Sequence, residues 1–180
     1  MVYHPATHAY PRVCKIPPGC RFDTPFMITL ADTLDARHIS LGPAVEDRAQ
    51  AILRIVGLLR NDPRVTDWES LYAQLSRATP CRCEDEASFA ICLPHARTDA
   101  VTEMVMSVGR FHPLLDFAES AKPVRYLFVI AAPVAMAADY LRIVGLLMRV
   151  IRNPVSEQAL NDASTSEAFL DVLTGFEVSL

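Results

Sequence analysis

The residues of this chain best suited to chemistry lie in Ile91-Cys92-Leu93-Pro94-His95-Ala96-Arg97-Thr98-Asp99. An apolar run, Phe89 to Leu93, reads as a short strand, and it meets Pro94, which has no amide hydrogen to give to a sheet. The spacing predicts that pairing stops there and that His95 emerges at the strand end, held on a rigid platform yet within reach of solvent. An imidazole that titrates near neutral pH is both a nucleophile and a proton carrier. Nucleophilic use requires one ring nitrogen open to the reacting atom and the other held by a hydrogen bond that fixes the tautomer. Arg97, two residues on, is a candidate counter-charge; its plainer reading is a solvated surface arginine.

The elements that must position His95 follow from periodicity. Residues 1–26 hold five of the 13 prolines and show no helical or strand period, so they are set apart as an N-terminal arm, leaving 27–180 as the folded domain. Ile28 to Leu34 reads as a short helix and His38 to Leu41 as a strand, followed by a turn at Gly42-Pro43. Val45, Ala49, Ile52, Val56 and Leu59 repeat at helical spacing, and Asn61-Asp62-Pro63 ends that helix. Thr66-Asp67-Trp68-Glu69 has the form of a capping box and predicts a second helix from about Asp67 to Ser76. Met104 to Gly109 reads as a strand, and Val124 to Ala132 as a central strand buried on both faces. Ala137, Leu141, Val144, Met148 and Ile151 mark an amphipathic helix that Asn153-Pro154 breaks. Ser164 to Glu167 caps a last helix that Gly175 can end. Helices alternating with four or five strands imply an α/β sandwich, a mixed central sheet of about five strands flanked by helices.

Composition narrows the function classes. With 180 residues, 51% hydrophobic and 21% charged, the chain fills one well-buried domain. A formal charge of −4, from 17 basic and 21 acidic residues, argues against nucleic acid as a partner, since such binders concentrate basic charge on one face. The longest apolar stretch, Tyr126 to Ala138, contains Pro133 and is well short of the ~20 residues a bilayer requires, so no membrane insertion is expected. The first 26 residues lack the apolar core of a secretory signal, and a cytoplasmic protein is expected. Five cysteines without framework spacing suit reduced thiols. His4, His8, Cys14 and Cys20, with Cys81 and Cys83, could supply soft metal ligands, but they form no matched pairs of the zinc type and no metal site is assigned.

The segment ICLPHARTDAV resembles the active-site stretch of the fructose/mannitol-type enzyme IIA domains of the bacterial phosphotransferase system, a group that includes the nitrogen-regulatory branch. The likeness extends over about residues 27–177: MITLADTLDARHISL resembles the opening helix and strand, the helices at 45–60 and 67–77 follow in order, and so do Lys122-Pro123-Val124, Ala132-Pro133 and LNDASTSEAFLDVL. The resemblance implies a phosphotransferase relay. His95 would accept a phosphoryl group from the phosphohistidine of an HPr-like carrier and pass it to a IIB-type partner, or hold it as a regulatory mark. No metal or small cofactor is implied. The chain carries neither a IIB domain nor a membrane domain, which points to a stand-alone regulator resembling the nitrogen-regulatory branch.

Three departures from the family pattern bear on that expectation. The family's glycine-containing loop before the strand is replaced by residues 81–90, which hold no glycine and place Glu84, Asp85 and Glu86 where like charge would repel a phosphoryl group. The family's arginine at the end of the preceding helix falls near Arg77 with a shift of about two residues, Arg82 being the substitute. A second family histidine falls on Tyr140, whose hydroxyl can donate to a phosphoryl oxygen but cannot shuttle protons at neutral pH. Arg77, Arg97 and Tyr140 are therefore the phosphate-stabilising candidates. The acidic loop supports an alternative, an enzyme IIA-like binding or regulatory module that is not efficiently phosphorylated.

Overall fold

Val124–Ala132 is the strand around which the chain is organised, and every residue in it except Arg125 is buried. Its alternation sorts the core into two layers. Tyr126, Phe128, Ile130 and Ala132 face one cluster, with Ile143, Leu147, Leu160, Phe169 and Leu173. Leu127, Val129 and Ala131 face the other, with Ala51, Ile52, Ile55, Leu71 and Leu75. Strand side chains alternate between faces, so one apolar run packs helices on both sides of the sheet. Each fully buried Leu, Ile or Phe contributes roughly 1.5–3 kcal/mol of transfer free energy, which is what holds the layers together.

The computed structural model describes residues 27–78, the backbone of 81–83, and residues 89–117 and 122–175. In chain order these form α1 (Leu30–Thr33), β1 (Leu34–Leu41), α2 (Arg48–Gly57), α3 (Trp68–Arg77), β2 (Cys81–Cys83), β3 (Ala90–Leu93), β4 (His95–Arg97), β5 (Val105–Leu115), β6 (Val124–Ala132), α4 (Ala137–Arg152) after a 3₁₀ turn at Val134–Met136, α5 (Pro154–Asp162) and α6 (Ser166–Gly175). The sheet runs β1-β5-β6-β3-β2, and β4 also pairs with β6. β3 and β4 lie end to end along β6, both parallel to it, so the six strands occupy five positions. β5 is antiparallel to β6 and β1 parallel to β5. The expected mixed sheet of about five strands with flanking helices is the observed architecture. The Pro-rich arm, 1–26, lies outside the described residues.

Several local expectations are corrected. Pro94 does not end sheet pairing. It lacks the donor but keeps its carbonyl, which accepts from the Ile130 amide at 3.1 Å, and pairing resumes at once with His95 opposite Ile130. Cys81–Cys83, read as loop, is an edge strand antiparallel to β3. Thr66 is not the cap of α3: its amide donates to the Ala100 carbonyl at 2.9 Å, which holds it outside the helix, and Asp67 takes the Ser70 amide instead. On α2 the buried stripe is Ala51, Ile52, Ile55 and Val56, because Asp47 caps the helix and leaves Val45 before it and Ala49 facing out. On α4 the buried stripe is Ile143, Leu147, Met148, Val150 and Ile151, so the expected Met148 and Ile151 lie on it while Leu141 is 68% exposed. Asn153 caps a further helix, α5, accepting from the Val155 and Ser156 amides with Pro154 in the first turn, where a missing amide hydrogen costs nothing.

Two glycines are required by geometry. Gly42 turns the chain out of β1 at φ 67°, a region side chains disfavour. Gly109 lets α2 approach β5: a Cβ there would stand 2.7 Å from Ile55 Cδ1.

Candidate functional site

His95 opens β4, a strand of three residues whose one sheet partner among the described residues is β6. The alternation that buries Ile91 and Leu93 on the α4 side continues through the Pro94 break, so His95 and Arg97 project on that same side while Ala96 packs among the α2 and α3 side chains. His95 is half-buried and Arg97 exposed.

The imidazole is held in two directions. Nδ1 lies 3.2 Å from the Leu93 carbonyl oxygen. A carbonyl can only accept, so Nδ1 carries the hydrogen, and in the neutral ring the lone pair is then on Nε2. Across its face the ring stacks on Tyr140, with centroids 5.0 Å apart and planes 26° from parallel. Tyr140 sits in the first turn of α4, so the stack brings that helix's N-terminal end over the imidazole. This end has no side-chain cap and continues from the 3₁₀ turn at Val134–Met136; the helix dipole there favours an anion, and Asp139 in the same turn works against it. His95 lies just past the carboxyl end of β3 and opposite Ile130, two residues before the carboxyl end of β6, and ligands in α/β sheets bind near the carboxyl ends of parallel strands.

The sequence-predicted residues are thus partly assembled. His95 and Tyr140 are in ring contact, and Arg97 shares the His95 face one pleat further on. Arg77 is exposed in the last turn of α3, a helix that packs on the opposite face of the sheet; among the described residues no hydrogen bond or ion pair joins it to His95. Glu84, Asp85 and Glu86 lie outside the described residues, and of Arg82 only the backbone is described. His4, His8, Cys14 and Cys20 are also outside them. Among the described residues, no three His, Cys, Asp or Glu side chains come together as a metal site would need.

Sequence reasoning passed over the groups that fix the far end of β4. The Thr98 amide donates to the Ala132 carbonyl at 2.9 Å, extending the β4–β6 register by one step. Its hydroxyl oxygen accepts from the Ala100 amide at 3.1 Å and from Gln74 Nε2 of α3 at 2.9 Å. A polar residue buried to 5% immediately after a strand is a signal that burial reveals and composition does not.

The description "Phosphoenolpyruvate-dependent sugar phosphotransferase system, EIIA 2" belongs to a family whose model matches residues 32–175. A fructose-specific EIIA component of the phosphotransferase system from Haloferax volcanii is 35% identical over 86 residues, 47% of this chain and 56% of that protein, so the match spans about half the relative's length. Among solved structures, the nitrogen regulatory protein IIA-Ntr from Neisseria meningitidis superposes with a TM-score of 0.65 at 18% identity, covering 78% of this chain and 95% of that one. Enzyme IIA of mannitol from Escherichia coli, solved in complex with phosphorylated enzyme IIB, gives 0.62 at 17% identity over 79% and 98%. At these identities the superpositions speak for the fold. The chain belongs to the EIIA 2 family of the phosphoenolpyruvate-dependent sugar phosphotransferase system, as the Leu-Pro-His-Ala-Arg segment and the element order suggested.

Proposed function

We propose that the folded domain, residues 27–180, is a phosphocarrier in which His95 Nε2 accepts a phosphoryl group from a phosphohistidine of an HPr-like protein. The group then passes to a IIB-type partner or stays as a regulatory mark, in the cytoplasm where such carriers act. The observation that carries this reading is the Nδ1–Leu93 carbonyl bond, which leaves the Nε2 lone pair as the nucleophile. In the transfer, Nε2 attacks phosphorus in line as the donor's N–P bond breaks. The donor ring takes back the bonding pair and leaves as a neutral imidazole that keeps the hydrogen on its other nitrogen, and His95 keeps its Nδ1 hydrogen. The phosphorylated ring is formally cationic, and the Leu93 carbonyl then accepts a charge-assisted bond, stronger than the one in the free ring. Such chemistry is positioning and charge stabilisation, which need no metal. Arg97 and Tyr140 are the candidates to meet the phosphoryl oxygens, Arg97 from the same strand face and Tyr140 from the first turn of α4; Arg77, on a helix against the opposite face, is the weaker of the three.

One feature of the sequence favours a second reading, a binding or regulatory module that is phosphorylated slowly. Residues 81–90 hold no glycine to bring backbone amides close to phosphate, and Glu84, Asp85 and Glu86 stand there instead.

The two readings part in one experiment. Incubated with enzyme I, HPr and phosphoenolpyruvate, the protein should gain one acid-labile phosphoryl group by intact mass, and His95→Gln should gain none. A folded wild-type protein that stays unmodified with its cognate carrier refutes the carrier reading and leaves the second.

A further inference from the structure

The fold contains a polar cluster beneath the β4–β5 return that the phosphoryl chemistry does not use. β1 departs from regular register between Leu34 and Ile39, where five steps of β1 face two of β5. Ile39 joins the α4–α6 core cluster, and His38 beside it is also buried, 4% exposed. His38 Nε2 lies 3.5 Å from Asp62 Oδ2. Asp62 is 7% exposed and is bound at both oxygens by Arg64: the Arg64 amide and Nε donate to Oδ1 at 2.8 and 2.9 Å, and Nη2 donates to Oδ2 at 2.7 Å. Burial pushes the imidazole of His38 toward its neutral form, and the guanidinium of Arg64 holds the Asp62 carboxyl below the usual carboxylate range.

That grip leaves Arg64 Nη1 aimed at two other segments. It donates to the Asp32 carbonyl at the end of α1, at 2.8 Å, and to the Met104 carbonyl at 3.3 Å. The backbone beside it is paired with the same return: Thr102 donates to the Arg64 carbonyl at 2.9 Å, and Val65 and Val101 form an antiparallel bridge. Residues 98–104 therefore leave the His95 strand, are tied at Thr98 by Gln74 and Ala132, and are tied again at 100–104 by residues 64–66 and the Arg64 side chain.

We infer that Arg64, fixed by Asp62, is a positioning residue that sets the placement of β4 and hence of the His95 imidazole. The inference rests on the phosphocarrier reading for its consequence in transfer, though not for its structural content. A strand of three residues with one sheet neighbour among the described residues has few ladder bonds to fix its own position, so the segments at its two ends must do so. The upstream end is held by β3 and the downstream end by this clamp. A guanidinium serves where an ammonium would not, because one planar group must grip a carboxylate with two nitrogens while a third reaches two carbonyls. Displacement of a reacting group by about 1 Å can cost on the order of a hundredfold in rate.

The test compares Arg64→Lys and Arg64→Met with Arg110→Met. Arg110 caps α5 by donating to the Leu160 and Asn161 carbonyls at 2.6 and 2.9 Å, away from His95, and reports plain loss of stability. The first readout is ¹⁵N NMR of the His95 ring together with amide exchange. Arg64→Met should change the Nδ1–H tautomer signal and speed exchange at Thr98 and Thr102 by about tenfold or more, while β5 and β6 amides stay protected. Arg64→Lys should lie between, and Arg110→Met should leave both unchanged. The second readout is single-turnover phosphorylation by excess phospho-HPr, in which Arg64→Met should slow transfer by about tenfold with half-saturation unchanged. If Arg64→Met does not fold, Arg64→Lys alone must show the tautomer and exchange changes. Wild-type tautomer and exchange patterns in the Arg64 variants, or equal changes in Arg110→Met, overturn the inference. A wild-type protein that takes no phosphoryl group but shows the NMR changes refutes the carrier reading and upholds the clamp.

Discussion

Replacing Tyr140 tests how the imidazole is aimed, and the structure supplies the magnitude. Two contacts orient the ring: the Nδ1–Leu93 carbonyl bond in its plane, long at 3.2 Å, and the Tyr140 stack across its face, at 5.0 Å and 26°. A neutral hydrogen bond of that kind contributes about 1 kcal/mol net, and an aromatic pair about 0.5–1.5 kcal/mol beyond its burial. Tyr140→Leu keeps an apolar side chain against the core but removes the stack, leaving one contact to hold a ring that must present Nε2 in line. If the stacking energy is fully expressed in the transition state, transfer slows by a factor of about 2–12. Tyr140→Phe keeps the ring and removes only the hydroxyl. It should transfer at close to the wild-type rate if stacking is what matters, and as slowly as Tyr140→Leu if the hydroxyl meets a phosphoryl oxygen.

The assay is rapid-quench transfer from excess phospho-HPr at several concentrations, with thermal melts to establish equal folding. The half-saturation concentration should stay constant and the saturating rate should fall. Wild-type kinetics in Tyr140→Leu would refute the claim that the stack orients the nucleophile. A change confined to half-saturation would relocate the residue's role to partner docking.

Two further outcomes follow from the packing and the charges. Gly109→Ala should destabilise the fold by about 1–3 kcal/mol, or about 2–12 °C in melting temperature, because its Cβ would fall 2.7 and 2.8 Å from Ile55 Cδ1 and Cγ1 in a fully buried contact; an unchanged melt would mean that α2 moves freely over β5. Stability should also decline on acidification in two steps. His38 is held neutral by burial, its pKa lowered in spite of the pull of Asp62, so the unfolded chain takes up that proton first and stability falls as pH drops below the ordinary histidine value of 6.5. Asp62 has a lowered pKa, and Asp35, beside Arg37, is lowered to about 2, so a second loss begins as pH falls below 3.8. Melting curves from pH 8 downward check this, and His38→Gln should remove the first step while keeping the second.

The parts of the fold that were legible are those whose signal is local and unambiguous. Val124–Ala132 is apolar at nearly every position, and such a run has few options but the centre of a parallel-faced sheet. Helix positions were legible and helix faces only in part. Of the expected Val45, Ala49, Ile52, Val56 and Leu59, the last three are buried, while Ala51 and Ile55 take the places that Val45 and Ala49 were given, a choice made by Asp47 capping and the groove that Gly109 opens for Ile55. On α4 an exposed Leu141 satisfies the period as well as the buried Leu147 does. Thr66-x-x-Glu69 has the letters of a capping box, but a backbone bond to Ala100, remote in sequence, removes Thr66 from the helix. The burial of His38 goes with its contact to Asp62, which is remote in sequence and itself held by Arg64, a pairing that neither segment announces alone.

The site divides along the same line. Its nucleophile and the proline before it were legible because a resemblance attaches function to a short contiguous segment. The contacts that would orient His95 in the proposed carrier come from four places in the chain: the Leu93 carbonyl, the Tyr140 ring, the Thr98 ties to α3 and β6, and the proposed Arg64 clamp beyond them. None of these is a charged group aimed at phosphate. Arg97 shares the His95 face but is exposed, and Arg77 leaves from the other side of the sheet. The ground-state structure is therefore built to orient the imidazole, and the positive end of α4 is the feature already in place for the phosphoryl charge. Substitutions in the orienting set should accordingly slow transfer without weakening partner binding, because a misaimed Nε2 lowers the chance of in-line attack in a complex that still forms. Charge reversals at residues 84–86 should do the opposite, changing half-saturation and its salt dependence while leaving the saturating rate, since salt-screened repulsion acts on approach more than on the aligned complex.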